Sequence, residues 1–177
     1  MKRIIAIAAF SLTAAAMILA VGSRIVASEN RLARGEKIKI RIAAYDPSDL
    51  LRGRYLALRP RGFSQSDLAP ASIDALGPNA RAYAVLEKDA DGFSSIATLS
   101  RDEPHSLVYL VLSCDASGLL EPPFDRFYLN QEDAPEADGL IRKNAGKDAY
   151  VVAYLKEGGL TLGELRIGER SFCAGRE

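Results

Sequence analysis

An uncharged run of nineteen residues, Ile4–Gly22 (IIAIAAFSLTAAAMILAVG), follows Lys2 and Arg3 at the start of the chain. At the helical rise it reaches roughly 28 Å, close to the ~30 Å hydrocarbon thickness of a bilayer. No other part of the 177 residues carries an apolar run of that length. Nothing on the run is amphipathic, so a buried core helix of a globular domain is a poor fit to it. We therefore divide the chain into a membrane anchor or signal segment over residues 1–28 and one extracytoplasmic domain over residues 29–177. The run exceeds the usual ~7–15-residue apolar region of a signal peptide. Neither Ala20/Gly22 nor Val26/Ser28 makes a clean A-x-A cleavage site. Retention as an anchor is the preferred reading, and a cleaved leader releasing a secreted soluble binding domain is the alternative. A short basic N-terminus stays cytoplasmic while a long C-terminal segment translocates largely regardless of its charge. That places the chain in the inner membrane, single-pass, with a periplasmic domain if the cell has two membranes.

Lys+Arg and Asp+Glu balance at 23 each, but not locally. Ser23–Arg61 holds 10 basic and 4 acidic residues, net +6, whereas Gly62–Glu177 holds 11 and 19, net −8. The basic part is the part nearest the apolar run, where Lys and Arg gain ~1 kcal/mol each beside an anionic lipid surface. An ordinary solvated strand face beside an anchor explains the same pattern. With no bulk positive charge outside this stretch and no Trp, nucleic acid is not an expected partner.

The domain reads as mostly β. Lys37-Ile38-Lys39-Ile40-Arg41-Ile42 alternates strictly, with three isoleucines on one face and three cations on the other. Further strands are predicted over 54–59, 81–88, 93–99, 107–113, 125–129, 150–156 and 160–167. Asp89-Ala90-Asp91-Gly92 and Glu157-Gly158-Gly159 supply hairpin turns. Eight short strands at this spacing predict an antiparallel sandwich or small barrel. Short helical turns are expected at 66–71 and 72–76, and a short helix within 132–143, begun or interrupted at Pro135.

The richest local signal runs from Tyr45 to Leu58. Asp46-Pro47 favours a turn, Ser48 caps a single helical turn through Arg52, and Gly53 permits the positive φ that ends it. The result is strand, tight turn, strand. Asp46-Pro47, Leu50-Leu51-Arg52-Gly53, Tyr55 and Leu58 resemble the signature of the GDYXXLXY protein family. Arg126-Phe127-Tyr128 with Glu132, and the hairpin from Val151 to Gly168, are similar to its later segments, so the resemblance runs from about Glu36 to Phe172. Arg54 stands where the name-giving motif has Asp, and Pro60 where it has the last Tyr. The resemblance implies a bacterial, membrane-anchored protein with no assigned activity and a membrane-embedded partner, such as an integral membrane protein.

Candidate chemistry is sparse. Arg52, Arg54, Arg59 and Arg61 fall within ten residues, and their planar forks suit phosphate or carboxylate groups of lipid headgroups or of an acidic partner. Asp46, Pro47, Leu51, Gly53, Tyr55 and Leu58 are expected to build the turn. Cys114 and Cys173 are the only cysteines; in an oxidising compartment they either close one disulfide or remain two separate thiols. His105 is the only histidine, which removes multi-histidine metal sites. Asp89-x-Asp91-Gly92 lacks the remaining ligands of a calcium loop. No cofactor and no metal are expected, and no nucleophile elbow, phosphate loop or dinucleotide fingerprint occurs. The expected function is binding or assembly with a membrane or envelope partner. An envelope hydrolase with a Ser–Lys or carboxylate site is the alternative.

Overall fold

The structure is a computed structural model that describes residues 2–44, 55–64, 67–68, 76–104, 108–144 and 148–174. It is mostly β, with curled antiparallel sheets forming a half-barrel behind one N-terminal apolar helix. α1 (Lys2–Arg34) is followed at once by β1 (Glu36–Ala44). Then come β2 (Tyr55–Pro60), β3 (Arg81–Lys88), β4 (Ser94–Ser100), β5 (Tyr109–Ser113) and β6 (Arg126–Tyr128). A short helix α2 (Ala134–Asn144) leads to β7 (Ala149–Lys156), β8 (Gly159–Ile167) and β9 (Arg170–Cys173). Six strands form one sheet in the order β6-β2-β1-β7-β8-β9, and three form a second in the order β4-β3-β5.

The alternation in β1 makes it a central strand with two different faces. Ile38, Ile40 and Ile42 are buried, while Lys37, Lys39 and Arg41 point the other way. Register carries that division across the sheet, because directly opposed residues share a face. Ile38 stands opposite Ala153 and Ile40 opposite Val151; Val151 in turn faces Leu165, which faces Phe172. This core face is closed by α2, which turns Ala134, Ala137 and Ile141 inward, and by Ala84, Leu110 and Leu112 of the smaller sheet. The spacing of 3 and 4 between the α2 residues is the stripe that one buried helix face requires. Pro135, near the first turn, starts this helix without losing a backbone bond.

Two hairpin tips tie the sheets together. Glu157 and Gly158 both have positive φ, 52° and 71°, as a two-residue turn of the right twist requires. The Gly158 carbonyl accepts from the Val111 N–H at 2.9 Å, which joins this tip to β5. The tip at Asp89–Gly92 reaches β1: Asp89 and Asp91 both pair with Arg41, the latter at 2.8 Å. The Arg41 guanidinium also lies 3.9 Å from the centre of the Phe93 ring. Arg41 holds the Asp89 carboxyl below the usual carboxylate range, helped by backbone N–H donors of Phe93 and Asp91.

Three features differ from the sequence reading. α1 continues twelve residues beyond Gly22, since Ser23–Arg34 keeps forming helical hydrogen bonds without an apolar run. A ninth strand, β9, pairs with β8 through Glu164↔Cys173 to Ile167↔Arg170, although it has only four residues. The expected turn over Asp46–Gly53 lies outside the described residues, as do most of the expected turns over 66–76. The strands that flank the first of these do pair, antiparallel, from Ile42↔Pro60 to Ala44↔Leu58.

Two measurements test this architecture. Phe127 is fully buried on β6, so Phe127→Ala should cost about 3–5 kcal/mol in chemical denaturation. A loss under 1 kcal/mol would contradict the core described. Asp89 ionises more readily folded than unfolded, so its contribution is present at neutral pH and is lost as pH falls through the depressed folded value. Asp89→Asn should therefore flatten the fall in stability below about pH 4. An unchanged acid limb would remove the Arg41–Asp89 contact from the account.

Candidate functional site

The face of the large sheet opposite the core is basic and rich in tyrosine. By register it carries Lys37, Lys39 and Arg41 on β1, Tyr150, Val152 and Tyr154 on β7, and Thr161, Glu164 and Arg166 on β8. Arg59 and Tyr55 on β2, Arg126 and Tyr128 on β6, and Ser171 and Cys173 on β9 complete it. Six of these side chains are cationic and one is anionic. Tyr55, Tyr128, Tyr150 and Tyr154 are four of the chain's seven tyrosines. Their rings give the face apolar area with polar tips, the combination suited to a boundary between wet and greasy surroundings.

Local contacts order this face. The rings of Tyr55 and Tyr128 meet at 5.8 Å, and the Arg126 guanidinium lies 5.0 Å from the centre of the Tyr55 ring. A hydrogen bond with Tyr128 and the charge of Asp125 raise the Arg126 pKa, so its charge is secure. Burial opposes the charge on Glu164, yet hydrogen bonds from Ser171 and Arg166 and the nearby Lys37 keep its carboxyl below the usual range.

The last turns of α1 lie against this face. Arg31 donates from Nε to the Thr161 hydroxyl at 2.8 Å, and the Ser28 hydroxyl stands 3.5 Å from the same oxygen. The Gly35 N–H closes the helix onto the Arg31 carbonyl at 2.7 Å. A Cβ at Gly35 would overlap that carbonyl oxygen and crowd the Leu155 backbone, so the reversal from helix to strand needs glycine there. On β8, a Cβ at Gly163 would stand 2.7 Å from the Tyr154 ring, so glycine leaves room for that ring against the strand.

Between helix and sheet runs a half-open cleft of about 650 Å³. Ile25, Ser28, Glu29 and Leu32 line its helical wall. Tyr128, Tyr154, Thr161, Leu162, Gly163, Cys173 and Ala174 line the sheet wall. Residues from β6 and from β9, the two ends of the sheet order, meet in this one cleft. The curl of the sheet is what brings them together.

The sequence-derived residues distribute unevenly around it. Tyr55 is half-buried beside Arg126 and Tyr128, and Leu58 is buried in the core. Arg59 lies on the basic face, opposite Ala43. Arg61 is exposed, and its backbone N–H donates to the Arg41 carbonyl at 2.8 Å. Asp46, Pro47, Leu51, Arg52, Gly53 and Arg54 lie outside the described residues, as does His105. The bridge between Cys114 and Cys173 is not made: both are free thiols, the first buried and the second exposed. They lie beside different sheets, Cys114 in an isolated bridge to Leu120 just past β5 and Cys173 on β9, paired with Glu164 of β8. Position near a strand end does not tell which sheet that strand joins. Among the described residues, no three His, Cys, Asp or Glu side chains cluster as metal ligands.

The helical wall and Tyr154, Thr161 and Gly163 did not emerge from the sequence reading. A signal for the first was present, since Ile25, Ser28, Glu29 and Leu32 follow the 3-4-7 spacing of one helix face.

A family model described as GDYXXLXY protein matches residues 17–165, from inside α1 to β8. No curated protein and no solved structure matches the chain.

The thiols give a direct check. Burial pushes the Cys114 thiol up, away from its reactive thiolate form, whereas Cys173 is open at the cleft. A maleimide reagent should label one thiol per folded chain without reductant, at Cys173, and label Cys114 only on unfolding. No labelling before reduction would restore the disulfide.

Proposed function

The chain belongs to the GDYXXLXY protein family, and we propose that it works as a single-pass inner-membrane protein with a periplasmic β domain. Its role on this reading is binding or assembly with a membrane or envelope partner.

The observation that carries the proposal is the unbroken course of α1. Ala9–Arg34 is long and apolar enough to cross a membrane, with mean hydropathy 1.8 in a window of which none is buried. Phe10, Leu12, Ile18 and Leu19 all turn outward with nothing covering them. At 33 residues α1 is roughly 50 Å long, about 20 Å more than a hydrocarbon core needs. The surplus is the part seated on β7 and β8, so anchor and domain join without a flexible linker. A basic sheet face held at that distance suits anionic headgroups or the acidic rim of a membrane partner.

The direction of the strands supports a lipid-proximal place for the end of β1 and the start of β2. Along the cleft, β8 passes from Thr161 to Gly163 as α1 is traced back from Arg31 to Ile25. β1 runs in the same direction as β8, both being antiparallel to β7. The end of β1 at Ala44 and the start of β2 at Tyr55 thus lie toward the apolar part of α1. Residues 45–54, with Arg52 and Arg54, connect these two ends.

Crosslinking on spheroplasts with a membrane-impermeant reagent tests location and role together. The native chain should give a discrete adduct in the membrane fraction, and Arg52→Glu should lose it while the β domain stays folded. An adduct formed only after lysis would overturn the periplasmic placement. An adduct of equal yield in Arg52→Glu would overturn the role given to the arginine-rich turn.

A further inference from the structure

Ala82, Ala84, Leu110 and Leu112 of the smaller sheet are buried, so the residues that alternate with them face outward. Register sets Tyr83 opposite Val111 and Val85 opposite Tyr109, with Ser100 and Thr98 flanking them on β4. The rings of Tyr83 and Tyr109 meet at 5.8 Å, and Val111 is exposed. These four side chains make an uncharged centre, and carboxylates stand around it. Glu103 accepts from the Tyr109 hydroxyl, and Glu87 lies near the end of β3 on this face. Glu121 donates its backbone N–H to the Ser113 carbonyl at 2.8 Å. Glu157 stands at the β7–β8 tip, where a Cβ on Gly158 would overlap Val111 and the Tyr109 ring. All four carboxylates are on exposed residues. Arg81, opposite Ser113, is the one cation that register places here among the described residues. Arg101 and Asp102, which follow Ser100, cancel in formal charge. The Tyr109 pKa is raised first by the hydrogen bond to Glu103, then by burial and the charge of Glu103, with Tyr83 and Glu157 adding.

We propose that this outer face docks a cationic, extended segment of a separate protein. Apolar side chains of that segment rest on Tyr83, Val85, Tyr109 and Val111, and its Lys or Arg side chains meet Glu87, Glu103, Glu121 and Glu157. Charge selects the occupant. The outer face of the large sheet carries six cations and one anion, whereas here four carboxylates stand against Arg81. An anionic headgroup or acidic protein suited to the first face is repelled by the second. An uncharged centre containing tyrosine, inside a polar rim, is the usual anatomy of a protein contact. A pleated face is shallow for a small molecule, which needs a cleft, but it matches an extended chain whose side chains alternate with period two. The basic face of a second copy is a poorer occupant, because α1 already lies over part of that face. The inference uses neither the anchor nor the basic face, so it goes beyond the reading above and fails or stands separately from it.

The test uses the full-length chain in uncharged detergent micelles and a short dye-labelled peptide of alternating Lys and Val, read by fluorescence anisotropy. The peptide should bind saturably, more weakly as salt is added, and a peptide with Glu in place of each Lys should not bind. Val111 is exposed, so Val111→Lys puts a cation at the centre without opening the core, and it should weaken binding at least about tenfold. Glu103→Gln and Glu121→Gln should each weaken it about threefold, as rim charges do. Lys39→Glu, on the outer face of the large sheet, should change it less than about twofold, which separates docking at this face from the pull of net charge. Thermal unfolding of each variant shows whether its β domain is intact. Equal binding by a folded Val111→Lys variant overturns the site, as does binding of the Glu peptide or no binding of the Lys peptide. Self-association of the native chain that Val111→Lys abolishes would put a second copy on this face and overturn the separate partner.

Discussion

Strict alternation in one strand is the constraint from which the rest of the molecule follows. Ile38, Ile40 and Ile42 can be buried only if Lys37, Lys39 and Arg41 face the other way, since a strand offers no third direction. A slip of one residue would bury three cations, so the register of β1 against β7 is fixed by hydrophobic burial rather than by backbone bonding. β1 is central, and its register passes the division to every neighbour. Val151, Ala153, Leu165 and Phe172 are drawn to the core, and Tyr150, Tyr154, Glu164 and Cys173 are left on the basic face. The candidate site is thus the necessary reverse of the core.

This explains what sequence reasoning reaches and where it stops. Local patterns are decided by near neighbours: the alternation of 37–42, the Asp89–Gly92 and Glu157–Gly158 turns, and seven further strands within one or two residues of their ends. β9 escaped because four residues, RSFC, carry too short a pattern, and its stability comes from pairing along Glu164–Ile167. The end of α1 escaped for a related reason. Hydropathy marks the lipid-matched part of a helix, but Ser23–Arg34 is polar on average and is held by contacts with Thr161 and Leu155, which lie more than a hundred residues away.

The cysteines and the cleft both depend on non-local arrangement. Spacing placed Cys114 and Cys173 each beside a strand, and nothing local says that one strand joins the three-stranded sheet and the other the six-stranded sheet. The cleft needs still more non-local information, because Tyr128 and Ala174 meet only through the curl that brings β6 and β9 around the helix. The arginine-rich segment before β2 shows the converse. Its residues are conspicuous in sequence, and their neighbours Tyr55 and Leu58 have defined roles, Tyr55 with its ring tilted against that of Tyr128 and Leu58 in the core.

The junction at Gly35 decides how the apolar helix is joined to the β domain. A flexible linker would let the basic face sample all orientations, and its charges would then act as a diffuse attraction, screened within a Debye length of ~8 Å. Here the chain turns from helix to strand in one residue, closed by the Gly35–Arg31 hydrogen bond and braced by Arg31 on Thr161. Any tilt of α1 is transmitted to β7 and β8, because neither the helix nor a six-stranded sheet bends cheaply.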